Sequence, residues 1–245
     1  MKQSIKNSLK KIIRLSGKTL SPINNYQESL EMVRYDWLKN KNIKTILDIG
    51  ANDGGFIRRY RSVFPDAMIY AFEAMPEPFK RLNEKLNSDK KLKTFNIALS
   101  NYKGEVDFFV SSNEGSSSLL QMEYVHKINF PTSAKNHLIK VNCDLLDNLL
   151  PELKIESTVM MKLDVQGAER LVLEGSVKTL EMVDVIYSEV NFVELYKNAV
   201  LVTDLIVLLK KYNFNLVGIE NTFQSLIDGS FTHGDAIFIK EKKSV

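Results

Sequence analysis

From Lys44 onward the chain alternates short, β-branched apolar runs with longer stretches of helical periodicity, which restricts it to folds in which crossover helices join parallel strands. A parallel neighbour cannot be reached by a tight turn, so each helix must carry the chain back along the sheet. Strands are expected at 45–49, 68–72, 93–98, 158–164 and 184–190, with helices at 55–64, 76–86, 168–180 and 201–212. Two last strands, 214–219 and 236–239, are joined by a polar loop without a helical pattern and should pair antiparallel. The expected fold is α/β: a mainly parallel, doubly wound sheet ending in an antiparallel hairpin.

Between the third and fourth strands lies an insertion, with a hairpin expected at 104–110, a serine-rich loop at 111–118 and irregular sequence through 135. A segment of that length inside a compact domain is usually functional or mobile. We read it as a lid over the substrate.

The 245 residues suffice for one well-cored domain, expected at 28–245, preceded by a leader at 1–27. The leader holds Lys2, Lys6, Lys10, Lys11, Arg14 and Lys18, six of the positive charges, so the remainder carries −3 of a formal net charge of +3. A slightly acidic body is a poor match for a phosphate backbone, and nucleic acid is a disfavoured substrate. Ile5, Leu9, Ile12 and Ile13 give the leader one apolar helical face among its lysines. Such a helix can lie on an anionic membrane surface, or pack on its own domain or on a second copy in an oligomer. It lacks the continuous apolar core of a secretory signal, and no later stretch reaches the ~20 apolar residues of a spanning helix. The single cysteine, Cys143, excludes an internal disulfide and a multi-cysteine zinc site, and fits a reducing, cytoplasmic setting.

Where the first strand turns into its helix the sequence reads Asp48-Ile-Gly-Ala-Asn-Asp-Gly-Gly. Gly50 and Gly54 let backbone pass close to a ligand, with Asn52 and Asp53 between them. Their spacing is not the Gly-x-Gly-x-x-Gly that seats a pyrophosphate, so a ligand without phosphate is better served. S-adenosyl-L-methionine is such a ligand, and an acidic rim including Asp48 suits its sulfonium. Glu73 follows the second strand, 25 residues beyond Asp48, where a carboxylate can accept both ribose hydroxyls. Asn96 and Ser100, near the end of the third strand, either border the adenine or cap the strand.

These residues give the chain its resemblance to the FkbM family of methyltransferases, from about Thr45 to Ile239. Four stretches carry it: Ile46-Leu-Asp-Ile-Gly-Ala-Asn-Asp-Gly, Tyr70-Ala-Phe-Glu-Ala-Met-Pro, Met161-Lys-Leu-Asp-Val-Gln-Gly-Ala-Glu with Val172-Leu-Glu-Gly, and Ser188-Glu-Val-Asn-Phe with Leu195-Tyr196. Ser116-Ser-Ser-Leu resembles a serine loop of the family, and Ala74 departs from it where proline is common. The resemblance implies a Rossmann-like class I methyltransferase fold, S-adenosyl-L-methionine as cofactor, and O-methylation of a hydroxyl on a sugar, glycolipid, polysaccharide or secondary metabolite.

Methyl transfer from a sulfonium is an in-line displacement, so the protein must position the acceptor oxygen and help remove its proton. Asp164 ends the fourth strand, at the sheet edge where ligands of open α/β sheets bind, should face the cofactor's methyl group, and is the first choice for base or metal ligand. Glu169 and Glu189 are further candidates, and Lys162, two residues before Asp164, is placed to orient its carboxylate. His233, in the loop between the final strands, has a pKa suited to a general base, whereas His126 and His137 have no partner that sequence names. Asp164, Glu189 and Asp235 do not form a recognised metal spacing, and no metal is expected. Two rivals share these residues: an RNA 2′-O-methyltransferase using Lys162, Asp164 and Glu189, and a non-catalytic cofactor-binding scaffold.

Overall fold

The computed structural model describes residues 36–241; the leader expected at 1–27 lies outside the described residues. The chain divides into two compact units, Met1–Lys41 and Asn42–Val245, and a helical turn at Asp36–Lys39 is the described element of the first. The second unit carries the sheets and the cavities. Among the described residues no helix is long and apolar enough to cross a membrane.

In chain order, β1 (Thr45–Ile49) leads through helix α1 (Gly55–Arg61) to β2 (Met68–Phe72), and helix α2 (Pro76–Leu86) leads to β3 (Leu92–Phe95). A second sheet is built from β4 (Ala98–Leu99), β5 (Gly104–Ser111) and, after helix α3 (Tyr124–Asn129), β6 (Asn136–Asp144). The chain returns with β7 (Val159–Leu163), passes helices α4 (Glu169–Glu174) and α5 (Val177–Met182) to β8 (Val185–Asn191), and closes with helix α6 (Val202–Lys210) and the hairpin β9 (Phe214–Gln224) and β10 (Phe231–Lys240).

The main sheet has seven strands in the order β3-β2-β1-β7-β8-β10-β9, with β10 antiparallel to both neighbours and the other pairs parallel. This is the doubly wound sheet with a terminal antiparallel hairpin that the alternation predicts. Every residue of β1 and β7 is buried, as expected where helices cover both faces of a parallel sheet, and each large apolar side chain there contributes about 1.5–3 kcal/mol. Because β1 runs outward to β2 and β3 while the returning chain enters as β7, the strand order reverses between β1 and β7. Their carboxyl ends open a crevice at that switch point.

Three local expectations are corrected. Residues 104–110 form no hairpin: they lie within the single strand β5, paired antiparallel with β6 over Gly104–Ser111 and Asn136–Asp144. The run Glu105-Val-Asp-Phe-Phe-Val contains no glycine, proline or asparagine to turn on, and its partner comes from beyond the serine loop. The strand expected at 93–98 divides between the sheets at Asn96, whose side-chain amide donates to the carbonyls of Glu73 (2.8 Å) and Ala74 (3.1 Å). The helix expected at 168–180 breaks into α4 and α5 at Gly175, where a Cβ would stand 2.0 Å from the Ser100 carbonyl oxygen.

The insertion is docked by hydrogen bonds. Ser118 Oγ donates to the carbonyls of Val165 (3.3 Å) and Gln166 (2.8 Å), while backbone bonds join Glu123 to Leu195 (2.9 Å) and Lys197 to Gln121 (2.8 Å).

Candidate active site

Gly50 sits at the mouth of the crevice with φ +79°, and a Cβ there would lie 1.9 Å from the Asp164 carbonyl oxygen, so only glycine lets the two strand ends meet. They are stitched by Asp164 N–H donating to Ile49 O (3.1 Å) and Gly50 N–H to Phe72 O (3.0 Å). At the end of β2, Glu73 is 5 % exposed and accepts from the backbone N–H groups of Asn52 and Met75, both at 2.8 Å. Burial raises its pKa, and the two N–H donors partly oppose this.

A cavity opens here with Gly50, Asn52 and Glu73 on one side and Ile97, Leu99 and Phe108 on the other. A buried carboxylate opposite apolar walls fits a nucleoside: the acid accepts from a diol and the walls take the base. Asn96 orients the backbone beside Glu73, Ser100 lies against Gly175, and Gly54 packs on Leu82 and Leu86; none of the three lines this cavity.

Asp48 is fully buried and does not line this cavity; it stands opposite Lys162 in the β1–β7 register. The Lys162 ammonium lies 3.3 Å from Asp48 Oδ1 and 3.4 Å from Asp164 Oδ2, and donates to Gly50 O at 3.0 Å. Burial alone would favour the neutral amine, but the carboxylates of Asp48 and Asp164 outweigh it and raise the lysine's pKa above its ordinary value. Asp48 therefore acts through Lys162, which ties the glycine turn to Asp164.

Asp164 and Gly115 line this cavity and two others. One runs past Arg59, Tyr187 and Asp235; the other is walled by Glu189, His126, Phe130 and His233. In the latter, Gln166 Nε2 donates to both Asp164 Oδ1 (2.9 Å) and Glu189 Oε2 (3.0 Å), and Tyr196 donates its hydroxyl to Gln166 Oε1 (2.8 Å). Burial, reinforced by the carboxylates of Asp164, Glu169 and Asp235, raises the pKa of Glu189 well above the usual carboxylate range. Glu169 is wholly buried and outside the cavities; Oε1 accepts from the N–H groups of Val165 (3.3 Å) and Gly167 (3.2 Å), and burial pushes its carboxyl up to about 7. His233, expected in the loop between the final strands, lies within β10, because the hairpin strands extend to Gln224 and back to Phe231; it pairs with Asn191 and Phe223 and stacks on the Phe223 ring with centroids 5.5 Å apart, and its pKa is lowered by burial. Asp235 pairs with Glu189 in the β8–β10 register and accepts from Tyr187 (3.0 Å) and Asn221 (2.8 Å).

The structure thus brings Asp164, Glu189 and His233 to one cavity and Gly50, Asn52, Glu73 and Asp164 to its neighbour, while His137 is exposed on β6. Sequence reasoning on charge and spacing missed Gln166, Tyr196 and the partner of His126. The signal was present in Val165-Gln-Gly and Leu195-Tyr196, inside the stretches that carry the family resemblance. Among the described residues no group of three or more His, Cys, Asp or Glu side chains could hold a metal ion.

Comparison with known proteins gives the family. A family model described as the methyltransferase FkbM domain matches residues 48–216. The 2-O-methyltransferase NoeI of Sinorhizobium fredii (strain NBRC 101917 / NGR234) is 33 % identical over 171 residues, covering 65 % of this chain and 68 % of that protein. Among solved structures, magnesium protoporphyrin IX methyltransferase (ChlM) from Synechocystis PCC 6803 with bound SAM gives a TM-score of 0.47 at 10 % identity, over 88 % of this chain and 80 % of that one. An rRNA methylase from Streptococcus thermophilus gives 0.47 at 12 % identity, over 86 % and 95 %. On the family match and the strand order, the chain belongs to the FkbM family of methyltransferases, has the class I methyltransferase fold, and uses S-adenosyl-L-methionine as its methyl donor.

Proposed function

We propose that the enzyme methylates a hydroxyl of a neutral, sugar-like acceptor held in the cavity of Asp164, Glu189, Phe130 and His233. That cavity wall carries the reading: carboxylates accept from hydroxyls, aromatic faces cover apolar ring surface, and among the described residues no lysine or arginine lines it. The name of the relative from Sinorhizobium, a 2-O-methyltransferase, supports transfer to oxygen.

When bound, S-adenosyl-L-methionine supplies an electrophilic methyl group. Glu73 would hold its ribose diol, Gly50 and Asn52 would let backbone approach it, and Ile97, Leu99 and Phe108 would enclose its base. Replacing Glu73 by glutamine puts an amide where two backbone N–H groups and a diol all need an acceptor. Donor affinity is expected to fall about 10- to 100-fold, the worth of a hydrogen bond to a charged group. Titration calorimetry with S-adenosyl-L-methionine measures this, and an unchanged Kd removes Glu73 from the donor site.

The base is assigned to Glu189 in preference to Asp164. Asp164 is committed to Lys162 at 3.4 Å, whereas burial and neighbouring carboxylates raise the Glu189 pKa and so make its carboxylate the stronger proton acceptor. Glu189 would take the hydroxyl proton as the carbon–oxygen bond forms and the methyl–sulfur bond breaks, with S-adenosylhomocysteine as the leaving group, and Asp164 would hold the acceptor against the crevice.

The same carboxylates repel anionic acceptors. Methyl hexosides are expected to yield S-adenosylhomocysteine at least tenfold faster than the corresponding uronates, a penalty of about 1.4 kcal/mol for one unfavourable charge near the surface. An RNA oligonucleotide should not be methylated, because its phosphates meet no cationic wall there. Faster turnover of the uronate or of RNA would overturn the reading.

A further inference from the structure

The hydrogen bonds around Gln166 form one chain that runs from the insertion to the two carboxylates. Its amide nitrogen has two N–H groups, one directed to Asp164 at 2.9 Å and one to Glu189 at 3.0 Å. Its carbonyl accepts from Tyr196, whose oxygen is also 3.2 Å from His126 Nε2 and 3.0 Å from the Ser116 carbonyl. His126 is 3 % exposed, and burial pushes its pKa down to about 4, so the ring is neutral and can donate from Nε2 to the phenol oxygen. Ser116 and His126 both belong to the insertion, and Tyr196 is held to it by an isolated bridge with Met122. Gln166 itself has φ +55°, a left-handed backbone that turns its side chain back toward the carboxylates.

From this arrangement we infer that Gln166 is a positioning residue: its amide holds the Asp164 and Glu189 carboxylates at a fixed separation, and Tyr196, anchored to the insertion, keeps the amide the right way round. The inference rests on the assignment of Glu189 as base. If the amide were reversed, its oxygen would face two carboxylates and both would lose their donor; Tyr196, whose single hydroxyl proton lies between Gln166 Oε1 and the Ser116 carbonyl, further favours the observed orientation by donating to Oε1. The insertion thereby contributes to catalysis through the orientation of a base as well as by covering the acceptor.

Two variants test it in the full chain. Gln166→Asn keeps a residue tolerant of left-handed backbone but is one methylene too short to bridge both carboxylates, and Tyr196→Phe removes the lock while keeping the ring. Because the amide favours the ionised carboxylate, losing it raises the pKa of Glu189. The titratable groups facing Glu189 are Asp164 and Glu169 from the β7–α4 segment, Asp235 and His233 from β10, Tyr196 beyond β8, and His126 from α3; both variants leave every other group in place.

Carbon-13 NMR of protein labelled at glutamate carboxyls, with the Glu189 signal assigned by its loss in Glu189→Gln, reads that titration without an acceptor. The midpoint is expected to rise by about one pH unit in Gln166→Asn and in the same direction in Tyr196→Phe. On methyl glucoside or methyl galactoside, kcat should fall on the order of 10- to 100-fold with the KM for S-adenosyl-L-methionine unchanged. A midpoint that stays put in both variants overturns the positioning role, whatever happens to kcat. Full turnover in Glu189→Gln, beside a shifted midpoint, overturns instead the base assignment on which the inference stands.

Discussion

Replacing Lys162 by methionine is expected to destabilise the fold by about 3–5 kcal/mol, because it leaves Asp48 as an uncompensated charge in the centre of the sheet. Asp48 is fully buried, and neither of its carboxylate oxygens has a hydrogen-bond donor, so the Lys162 ammonium at 3.3 Å is what offsets its desolvation. Methionine matches the length of the lysine stem and can keep its place against Phe56, over whose ring the ammonium lies at 5.4 Å, so the change tests charge more than packing. For a domain of this size the unfolding midpoint should drop by roughly 10 °C.

The loss must also depend on pH. Burial already raises the Asp48 pKa against the opposing pull of Lys162, and removing the lysine raises it further in the folded state alone. A carboxyl whose folded pKa lies above its unfolded value favours folding at low pH, and that contribution is lost as pH rises through the folded pKa. The variant should therefore lie closer to the wild type at pH 5 than at pH 8. Asp48→Asn added to Lys162→Met should restore most of the midpoint. Equal losses at both pH values, or no recovery in the double variant, would mean that the pair is not what stabilises the crevice.

Glu189→Gln carries the largest expected effect on activity. Removal of a general base slows proton transfer by roughly 10²–10⁴-fold, and that factor should appear in kcat with the donor Kd unchanged, since Glu189 does not line the nucleoside cavity. In the wild type the acid limb of the pH–rate profile should sit above the ordinary carboxylate range, because the base form is populated only above the raised pKa of Glu189. Turnover of Glu189→Gln within threefold of wild type would return the proton to Asp164 or to solvent.

The positions legible in advance were those fixed by local pattern. Gly50 announced itself because a strand ran straight into a glycine turn, and Glu73 because an acidic residue closed the next strand. Asp48 drew attention for the same reason, yet the register with β7 turns it inward onto Lys162, away from the cavities. Gln166 could not be picked out by charge or spacing, since its amide matters only where β8 presents Glu189 and the 192–201 segment presents Tyr196. The break at Gly175 was equally hidden, because the backbone that excludes a Cβ there belongs to Ser100, far away in sequence.

By itself the sequence determined the layer architecture, the parallel sheet with its antiparallel end, and the glycine turn at the carboxyl end of β1, because side-chain periodicity and glycine placement act within a few residues. Tertiary structure alone decided which carboxylate faces a cation and which faces other carboxylates, and how the insertion reaches Gln166. Those are properties of distance and burial, set when strands β1, β7, β8 and β10 come side by side, and no short window of sequence contains them.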